Sequence, residues 1–324
     1  PGNDNNHKLN YRASSTSETL NVDVVQMAPA IVTSKQPWRS QPQGAVTVAS
    51  SYKDSLKLTE VVLPNCGALS KTLIMGYTPS VLGGTVLNGV GVGGRSIYFG
   101  TNQFNCAIGI AADADNVFTS TSTASIFILR QSLTTSIYTL WTESWGYNAG
   151  VSDRVIAHMP GTDGYVYFDF GSTGTSNRIS TPSTVTKSTN VESWCFVAGP
   201  NKGREIWRNG IKLAGDASKT GTRPTTSQSL RLGSMPTDYC DQEHIYLFMV
   251  GVKEWSDSQI KSISANPWQI FQPRKQIQYF DAPNVIATRT PTLTSSPADY
   301  SIDLTSGEAA TITDYTKLGL RFRT

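Results

Sequence analysis

The chain has 324 residues, of which only 16 % are charged, and its 27 basic and 24 acidic side chains leave a net charge of +3. This slight positive excess, with no basic stripe and no recognisable motif, argues against nucleic-acid binding. No apolar run reaches the roughly 18 residues of a membrane-spanning helix, so we expect no insertion into a membrane.

The first 19 residues are polar and lack hydrophobic periodicity, which predicts an N-terminal arm. We expect the arm either to become ordered on a partner or to remain a disordered terminus. Pro1–Asn10 lacks the apolar core of a signal peptide, so we expect folding in the cytoplasm. No CxxC pair exists, and a cytoplasmic folding site favours reduced, structural thiols at Cys66, Cys106, Cys195 and Cys240.

From about residue 20 onward, short runs rich in Val, Ile, Tyr, Phe, Trp and Thr alternate with clusters of Gly, Pro, Asn and Asp. Many short strands with frequent turns favour a sandwich or a barrel. The strand candidates are, in chain order, Leu20–Val25, Ala45–Ala49, Leu58–Leu63, Ser96–Phe99, Ala124–Leu129, Ser136–Trp141, Arg154–His158, Tyr165–Phe170, Trp194–Ala198, Glu205–Arg208, Leu230–Leu232 and Ile245–Val252.

Two local signals define a turn and a helix. Asn209-Gly210 separates two strand-like runs, which is typical of a type I′ hairpin because both turn residues must adopt positive φ. A helix is predicted near 257–265, where Ser256 and Gln259 have the spacing of a capping box. It should end before Pro267, since proline disfavours helix at the preceding residue.

After about residue 283 the pattern predicts a small C-terminal β module. Val285–Arg289, Tyr300–Leu304 and Leu318–Phe322 have the composition of strands. So few strands could hardly form a stable sheet alone. We therefore expect the module to pack on the main domain or on another subunit.

Two motifs have part of the pattern of a ligand-binding site. Gly89–Gly94 matches GxGxxG, but a strand-like run follows it where a dinucleotide site needs a helix, so we interpret it as a flexible loop.

Asp113, Asp115 and Asn116 suggest a calcium site, and calcium is the one cofactor that the sequence suggests. Calcium takes ~6–8 oxygen ligands, so a polar turn is the favoured interpretation and a calcium site is the alternative.

Catalytic carboxylates are not evident. A glycosidase needs two of them about 5–10 Å apart on either side of the sugar bond. Asp241 and Glu243 have the spacing of one strand face and lie beside His244, but in a polar turn region, and Asp169 stands alone. We predict that the chain has no catalytic residues.

An aromatic cluster is the better candidate for a ligand site. Trp141, Trp145 and Tyr147 lie close together and are followed by Asn148. Exposed rings can stack on the C–H faces of sugars while amides bind hydroxyl groups, so these four residues are the predicted glycan-binding site. Packing of the rings in the core is the favoured alternative.

Four stretches carry a resemblance to a known family: Gly94–Phe99, Trp194–Ala198 followed by Glu205–Gly210, Leu230–Gly233 and Ile245–Asp257. In this order they resemble the strands of a laminin-G/concanavalin-A-like lectin domain. The resemblance implies an all-β, concanavalin-A-like jelly-roll sandwich, with one short helix near 257–265 and a small C-terminal β module. The implied divisions are an arm at 1–19, a β-rich region at 20–94 that packs on or completes the sandwich, the sandwich at 95–282, and the module at 283–324.

Further stretches narrow the resemblance to proteins of tailed-phage or prophage virions. The sequence NPWQIF at 266–271 is similar to the end of such domains, and Trp38–Gln43 is similar to a segment upstream of them. TDYTKLGLRFR at 313–323 looks like part of a separate phage-associated β module.

The resemblance implies a non-enzymatic structural protein on the virion surface, made in the host cytoplasm. It would be a capsid decoration or a tail or fibre component, with host surface glycans as candidate ligands. We expect a homo-oligomer or symmetric array that contacts other virion proteins through the arm and the C-terminal module. The alternatives are a glycan depolymerase or glycosidase on the same sandwich, and a bacterial surface lectin.

Overall fold

A computed structural model describes residues 41, 46–64, 72–74, 76, 78–83, 87–100, 106–111, 118, 121–137, 142–148, 153–226, 229–234, 239–273, 276–281, 284–289, 305–309, 311 and 318–323. The predicted arm at 1–19 and the strand candidates Leu20–Val25 and Tyr300–Leu304 lie outside these residues. None of the helices within them has the length and apolar character needed to span a membrane.

The described part of the chain is built mainly from short strands. Its strands are β1 (Val46–Val48), β2 (Leu58–Val62), β3 (Ser80–Gly83), β4 (Leu87–Gly91), β5 (Gly94–Phe99), β6 (Ala107–Ala111), β7 (Ala124–Ser132), β8 (Thr142–Glu143), β9 (Trp145–Asn148), β10 (Arg154–His158), β11 (Tyr167–Gly171), β12 (Arg178–Ser180), β13 (Val191–Gly199), β14 (Gly203–Arg208), β15 (Ile211–Asp216), β16 (Leu230–Gly233), β17 (Tyr239–Cys240), β18 (Glu243–Gly251), β19 (Phe271–Pro273), β20 (Gln276–Asp281), β21 (Asn284–Arg289) and β22 (Leu318–Arg323). Its helices are α1 (Ser50–Leu56), α2 (Asp257–Ala265), a 3-10 helix (Pro267–Ile270) and α3 (Ser306–Ala309).

Two antiparallel sheets form a β-sandwich, which confirms the predicted all-β fold. Sheet I has the order β15-β14-β13-β7-β18-β5-β4, and β2 pairs with a further stretch of β18. Sheet II has the order β12-β11-β10-β9-β16-β6-β3. The strands β2, β3 and β4 precede the stretch that resembles a lectin domain, yet each pairs within one of the two sheets.

The centre of sheet I is buried on both faces, as β7 illustrates. Ile126 and Ile128 belong to the core between the two sheets, whereas Phe127 and Leu129 belong to a second core on the outer face of sheet I. Successive strand residues point to opposite faces, so a strand in this position must be apolar throughout. Residues of α1 and α2, among them Ile260, cover the outer face.

The helix α2 begins with the predicted capping box. Ser256 Oγ accepts a hydrogen bond from Gln259 N at 3.2 Å, and Gln259 Oε1 accepts one from Ser256 N at 2.9 Å. Both bonds satisfy backbone donors that a helix N-terminus would otherwise leave without partners. The predicted helix near 257–265 is therefore confirmed, whereas α1 and α3 were not predicted.

A three-stranded sheet with the order β21-β20-β22 lies near the C-terminus. The predicted strands at 285–289 and 318–322 are confirmed as β21 and β22. The central strand, β20, lies before residue 283 and was not predicted as a strand. The division of the chain into domains stays a prediction.

The turn between β14 and β15 has the predicted backbone conformation. Asn209 has a φ of 52° and Gly210 a φ of 75°, and Arg208 pairs directly with Ile211 across the turn. Positive φ at both central residues is the mark of a type I′ turn, so the predicted hairpin is confirmed. Asn209 Oδ1 also accepts a hydrogen bond from Ser193 N at 2.9 Å, which ties the turn to β13.

Replacing Gly210 with valine should lower the free energy of unfolding by about 1 kcal/mol or more, because a β-branched residue resists positive φ. Gly215→Val is the matched control in the same hairpin. Gly215 does not have a positive φ, and the atoms nearest its position belong to the side chains of Lys212 and Glu205. Chemical denaturation of both variants measures the difference. Equal midpoints for wild type and Gly210→Val would contradict the expected strain.

Candidate functional site

The predicted aromatic site is corrected by the burial of two of its members. Trp145 and Tyr147 are 0 % and 1 % exposed and belong to the core between the sheets. The ring centre of Trp145 lies 5.7 Å from that of Phe196 and 6.0 Å from that of Phe248, both on sheet I. The reason is that β9 is an interior strand of sheet II and its odd-numbered residues point into the core between the sheets. Core packing, the favoured alternative, therefore holds for these two rings.

The other predicted ligand residues lie outside the described structure. This applies to Trp141, to the side chain of Asn148, and to the calcium candidates Asp113, Asp115 and Asn116. The strand candidate Ser136–Trp141 is wrong in its first two residues, which are irregular. Within the described residues, no three His, Cys, Asp or Glu side chains are placed to hold a metal ion.

Asp241 and Glu243 lie inside the sandwich in a network of charges. Arg130 Nη1 is 3.0 Å from Glu243 Oε2 and 3.3 Å from Asp241 Oδ2. Lys187 Nζ is 2.6 Å from Asp241 Oδ1. Ser144 Oγ donates to Glu243 Oε2 at 2.9 Å. The network joins two acids to two bases, so each buried charged group has a partner of opposite sign.

The burial of this network limits what its carboxylates can do. Their side chains are 2 % and 0 % exposed, whereas a general acid or base must come within hydrogen-bond reach of its substrate. Burial also raises the pKa of Glu243 to about 8, against the opposing attraction of Arg130 and with the repulsion of Asp241. Within the described residues Glu243 Oε1 has no hydrogen-bond partner, so no donor at that oxygen stabilises the charged form.

Asp169 does not stand alone, because two arginines bind it on the outer face of sheet II. Arg154 Nε donates to Asp169 Oδ2 at 2.9 Å, and Arg178 Nε donates to Asp169 Oδ1 at 2.6 Å. Asp169 is 0 % exposed, while the side chain of Arg178 is 28 % exposed. The carboxylate therefore fixes Arg178 and leaves part of its guanidinium group at the surface.

Arg178 belongs to a polar and aromatic patch, the tyrosine–arginine surface, formed by Asp163, Tyr165, Tyr167 and Arg178. The guanidinium carbon of Arg178 lies 5.0 Å from the ring centre of Tyr167, and the two tyrosine ring centres are 6.5 Å apart. Tyr167 Oη donates to Asp163 Oδ2 at 2.5 Å. Both rings are partly exposed, and Asp163 is exposed.

The local sequence explains how this surface is formed. Tyr167 and Asp169 alternate along β11, so both point to the outer face of sheet II, and Tyr165 lies two residues before the strand begins. In the turn before β11, Asp163 Oδ1 accepts a hydrogen bond from Tyr165 N at 3.1 Å, a short-range bond typical of Asp in turns. That bond places the carboxylate beside the Tyr167 hydroxyl.

Hydrogen bonding sets the protonation states of the surface. The bond to Asp163 is the main cause that raises the pKa of Tyr167 to about 12. Partial burial acts against ionisation of Asp163, but the hydrogen bonds from Tyr167 and from Tyr165 N outweigh it and lower the pKa of Asp163. Near neutral pH the surface therefore presents a carboxylate, a protonated phenol and a guanidinium group. These groups can bind hydroxyls while the two ring faces cover C–H surfaces.

Sequence reasoning missed this surface, although a signal was present. The strand Tyr165–Phe170 was predicted, and the alternation of its tyrosines with Asp169 would have placed all three on one face. The partner Arg178 could not be found in this way, because it reaches Asp169 only through the pairing of β11 with β12.

The glycine motif is part of a hairpin, so its interpretation as a flexible loop is wrong. β4 pairs with β5, and Gly89–Gly94 forms the end of β4, the turn and the start of β5. A Cβ atom on Gly91 would lie 2.0 Å from Tyr246 Oη, so glycine is needed for the close approach. His244 lies beside Tyr246, with Nδ1 at 2.7 Å from Ser96 Oγ.

Comparisons with known proteins identify the fold but no family. No family model and no curated protein matches the sequence. Among solved structures, domain 4 of an extracellular arabinanase from Geobacillus stearothermophilus, in complex with arabinotriose, is similar at 14 % identity and a TM-score of 0.51. The match covers 64 % of this chain and 98 % of that domain. At this identity the likeness concerns the fold alone.

A sialidase of Trypanosoma rangeli is also similar, at 11 % identity and a TM-score of 0.44. The match covers 64 % of this chain, which spans about a third of the sialidase, 32 % of its length.

The Glu243 carboxyl should make stability depend on pH. Its pKa is raised to about 8 in the folded protein, so its contribution to stability is complete below about pH 4.5 and is lost as the pH rises through 8. We expect the free energy of unfolding to fall by at least about 1 kcal/mol over this range, since one pKa unit corresponds to about 1.4 kcal/mol. Urea denaturation at several pH values measures it.

Glu243→Gln should remove this pH dependence, because the amide keeps the shape and does not titrate. Asp54→Asn, at an exposed position on α1, is the control and should retain it. If the free energy of unfolding of Glu243→Gln still falls as the pH rises, another group causes the pH dependence.

Proposed function

We propose that the chain is a non-enzymatic, glycan-binding β-sandwich protein displayed on the surface of a tailed-phage particle. The glycan-binding part of the proposal rests on the tyrosine–arginine surface. It combines two partly exposed rings with a carboxylate and a guanidinium group whose positions are fixed by hydrogen bonds. Sites that bind small polar ligands typically use a few fixed polar groups beside aromatic rings in this way.

The shared fold gives this proposal a precedent. The arabinanase domain of similar fold was solved with arabinotriose, so a sandwich of this kind can carry a glycan. A neutral or acidic glycan fits best, because Arg178 offers donors to hydroxyl or carboxylate groups while Asp163 accepts from hydroxyls.

The absence of hydrolysis is part of the proposal and is supported by the state of the carboxylates. Asp169, Asp241 and Glu243 are buried and paired with Arg or Lys side chains. A glycosidase would need two carboxyl groups that reach opposite sides of the sugar bond. Asp163, the exposed acid of the tyrosine–arginine surface, is held by the Tyr167 hydroxyl.

The virion role is proposed from the sequence resemblance, especially NPWQIF at 266–271 and TDYTKLGLRFR at 313–323. In this proposal the sandwich projects outward as a decoration or as a tail or fibre component. The arm at 1–19 and the C-terminal module contact neighbouring subunits and other virion proteins in a symmetric array.

Removing one ring of the surface should weaken glycan binding. Tyr165→Ala should raise the Kd for a bound polysaccharide roughly tenfold, corresponding to about 1.4 kcal/mol of lost contact. An array of bacterial capsular polysaccharides and lipopolysaccharides, with arabinotriose included, measures binding. Tyr52→Ala is the control, because Tyr52 is a partly exposed tyrosine on α1 away from this surface.

Equal binding by wild type and Tyr165→Ala would show that the glycan site lies elsewhere on the protein. The same polysaccharides should release no new reducing ends on incubation with the protein. Turnover that disappears in Glu243→Gln would favour the glycosidase alternative.

The virion role makes a separate prediction about assembled particles. Antibodies against the sandwich should label intact particles, and residues 1–19 should be protected from protease there but cleaved in the isolated chain. Disordered segments commonly become ordered only on a partner, so deletion of 1–19 should abolish incorporation and leave the circular dichroism spectrum of the sandwich unchanged. Normal incorporation of the shortened chain would refute the anchoring role of the arm.

A further inference from the structure

A pocket of about 320 Å³ lies on the outer face of sheet I, on the opposite sheet from the tyrosine–arginine surface. Its floor comes from β7 and β13, one wall from the turn between β14 and β15, and the other wall from α2. The lining residues are Leu129, Ser193, Asn209, Gly210, Lys261, Ser264 and Ala265. This volume is at the lower end of the ~300–1,000 Å³ range of small-molecule sites, so it suits a ligand the size of one sugar ring.

The floor of the pocket contains a hydroxyl group without a partner. Ser193 pairs with Leu129 across β13 and β7, and it is only 3 % exposed. Ser193 Oγ is fully buried, and no group within the described part of the chain forms a hydrogen bond with it. A buried hydroxyl without a partner is unfavourable, so a hydrogen bond from a ligand in the pocket would stabilise it.

The walls add hydrogen-bond donors. Asn209 Oδ1 is occupied by the hydrogen bond from Ser193 N, so the two hydrogens on Asn209 Nδ2 remain as donors at the pocket. Lys261 is an exposed cation on α2, and Ser264 contributes a second hydroxyl. The lining includes no Asp or Glu. Asp257, an acid that interacts with Lys261, has its own ion pair with Lys202 at 2.6 Å.

We infer that this pocket is a second ligand site, which binds a carboxylate-bearing monosaccharide or a small acid of similar size. The carboxylate pairs with the Lys261 ammonium group. Hydroxyl groups of the sugar ring accept hydrogen bonds from Asn209 Nδ2 and form a hydrogen bond with Ser193 Oγ. Leu129 and Ala265 contact the apolar face of the sugar ring. A neutral sugar lacks the ion pair and binds more weakly.

Sodium glucuronate and glucose are the probes, titrated into the full-length protein while chemical shifts are followed by NMR. We expect glucuronate to bind with a millimolar Kd and to shift the resonances of Asn209 and Lys261, whereas glucose binds about tenfold more weakly. Lys261→Gln should weaken glucuronate binding about tenfold and leave glucose binding unchanged. Lys53→Gln, at an exposed position on α1, is the control and should change neither.

Ser193→Val tests the floor of the pocket without removing a hydrogen bond of the folded chain, so it is expected to fold. It should weaken the binding of both probes up to about tenfold, because it replaces the hydroxyl with methyl groups. Tyr165→Ala should leave glucuronate binding intact, which separates this site from the tyrosine–arginine surface. Absence of glucuronate binding, or binding unchanged in Ser193→Val and Lys261→Gln, would overturn the inference and leave a pocket that holds water only.

Discussion

The double burial of sheet I is the constraint on which the rest of the structure depends. Its three central strands, β13, β7 and β18, have sheet II on one side and the α1 and α2 layer on the other. Each must therefore be apolar at almost every position, and each reads in the sequence as a continuous hydrophobic run. Only the inner face of sheet II packs on the core. Its outer face can therefore carry polar side chains such as those of the tyrosine–arginine surface.

The charged residues follow from the same layering. Arg130 and Glu243 are at the ends of β7 and β18 and point between the sheets, where apolar contacts give way to ion pairs. Asp169 is on the outer face of sheet II and is neutralised by arginines from the two adjacent strands. In both places an acid is buried because a long cationic side chain reaches it, and in neither place does the acid face open solvent.

The sequence was sufficient where the deciding interactions are local. The Asn209-Gly210 turn depends on the φ angles of two residues, and the start of α2 depends on two side chains three residues apart. It was insufficient where pairing between distant strands decides the outcome. The aromatic composition of 145–147 is the same for a ring in the core and for a ring at the surface, and the face of sheet II to which the odd-numbered residues of β9 point decides between them.

The strand β18 pairs along one edge with β7 and along its other edge with both β5 and β2. Thr59, beside this junction, donates to the carbonyl of Val250, 191 residues further along the chain. On the ribosome, β2, β5 and β7 all emerge long before the strand that joins them. Such long-range pairing makes folding slow, and the early strands must pass through synthesis with unpaired edges. We therefore expect exposed strand edges in the nascent chain to favour aggregation during synthesis, and a chaperone that covers them to raise the yield of folded protein.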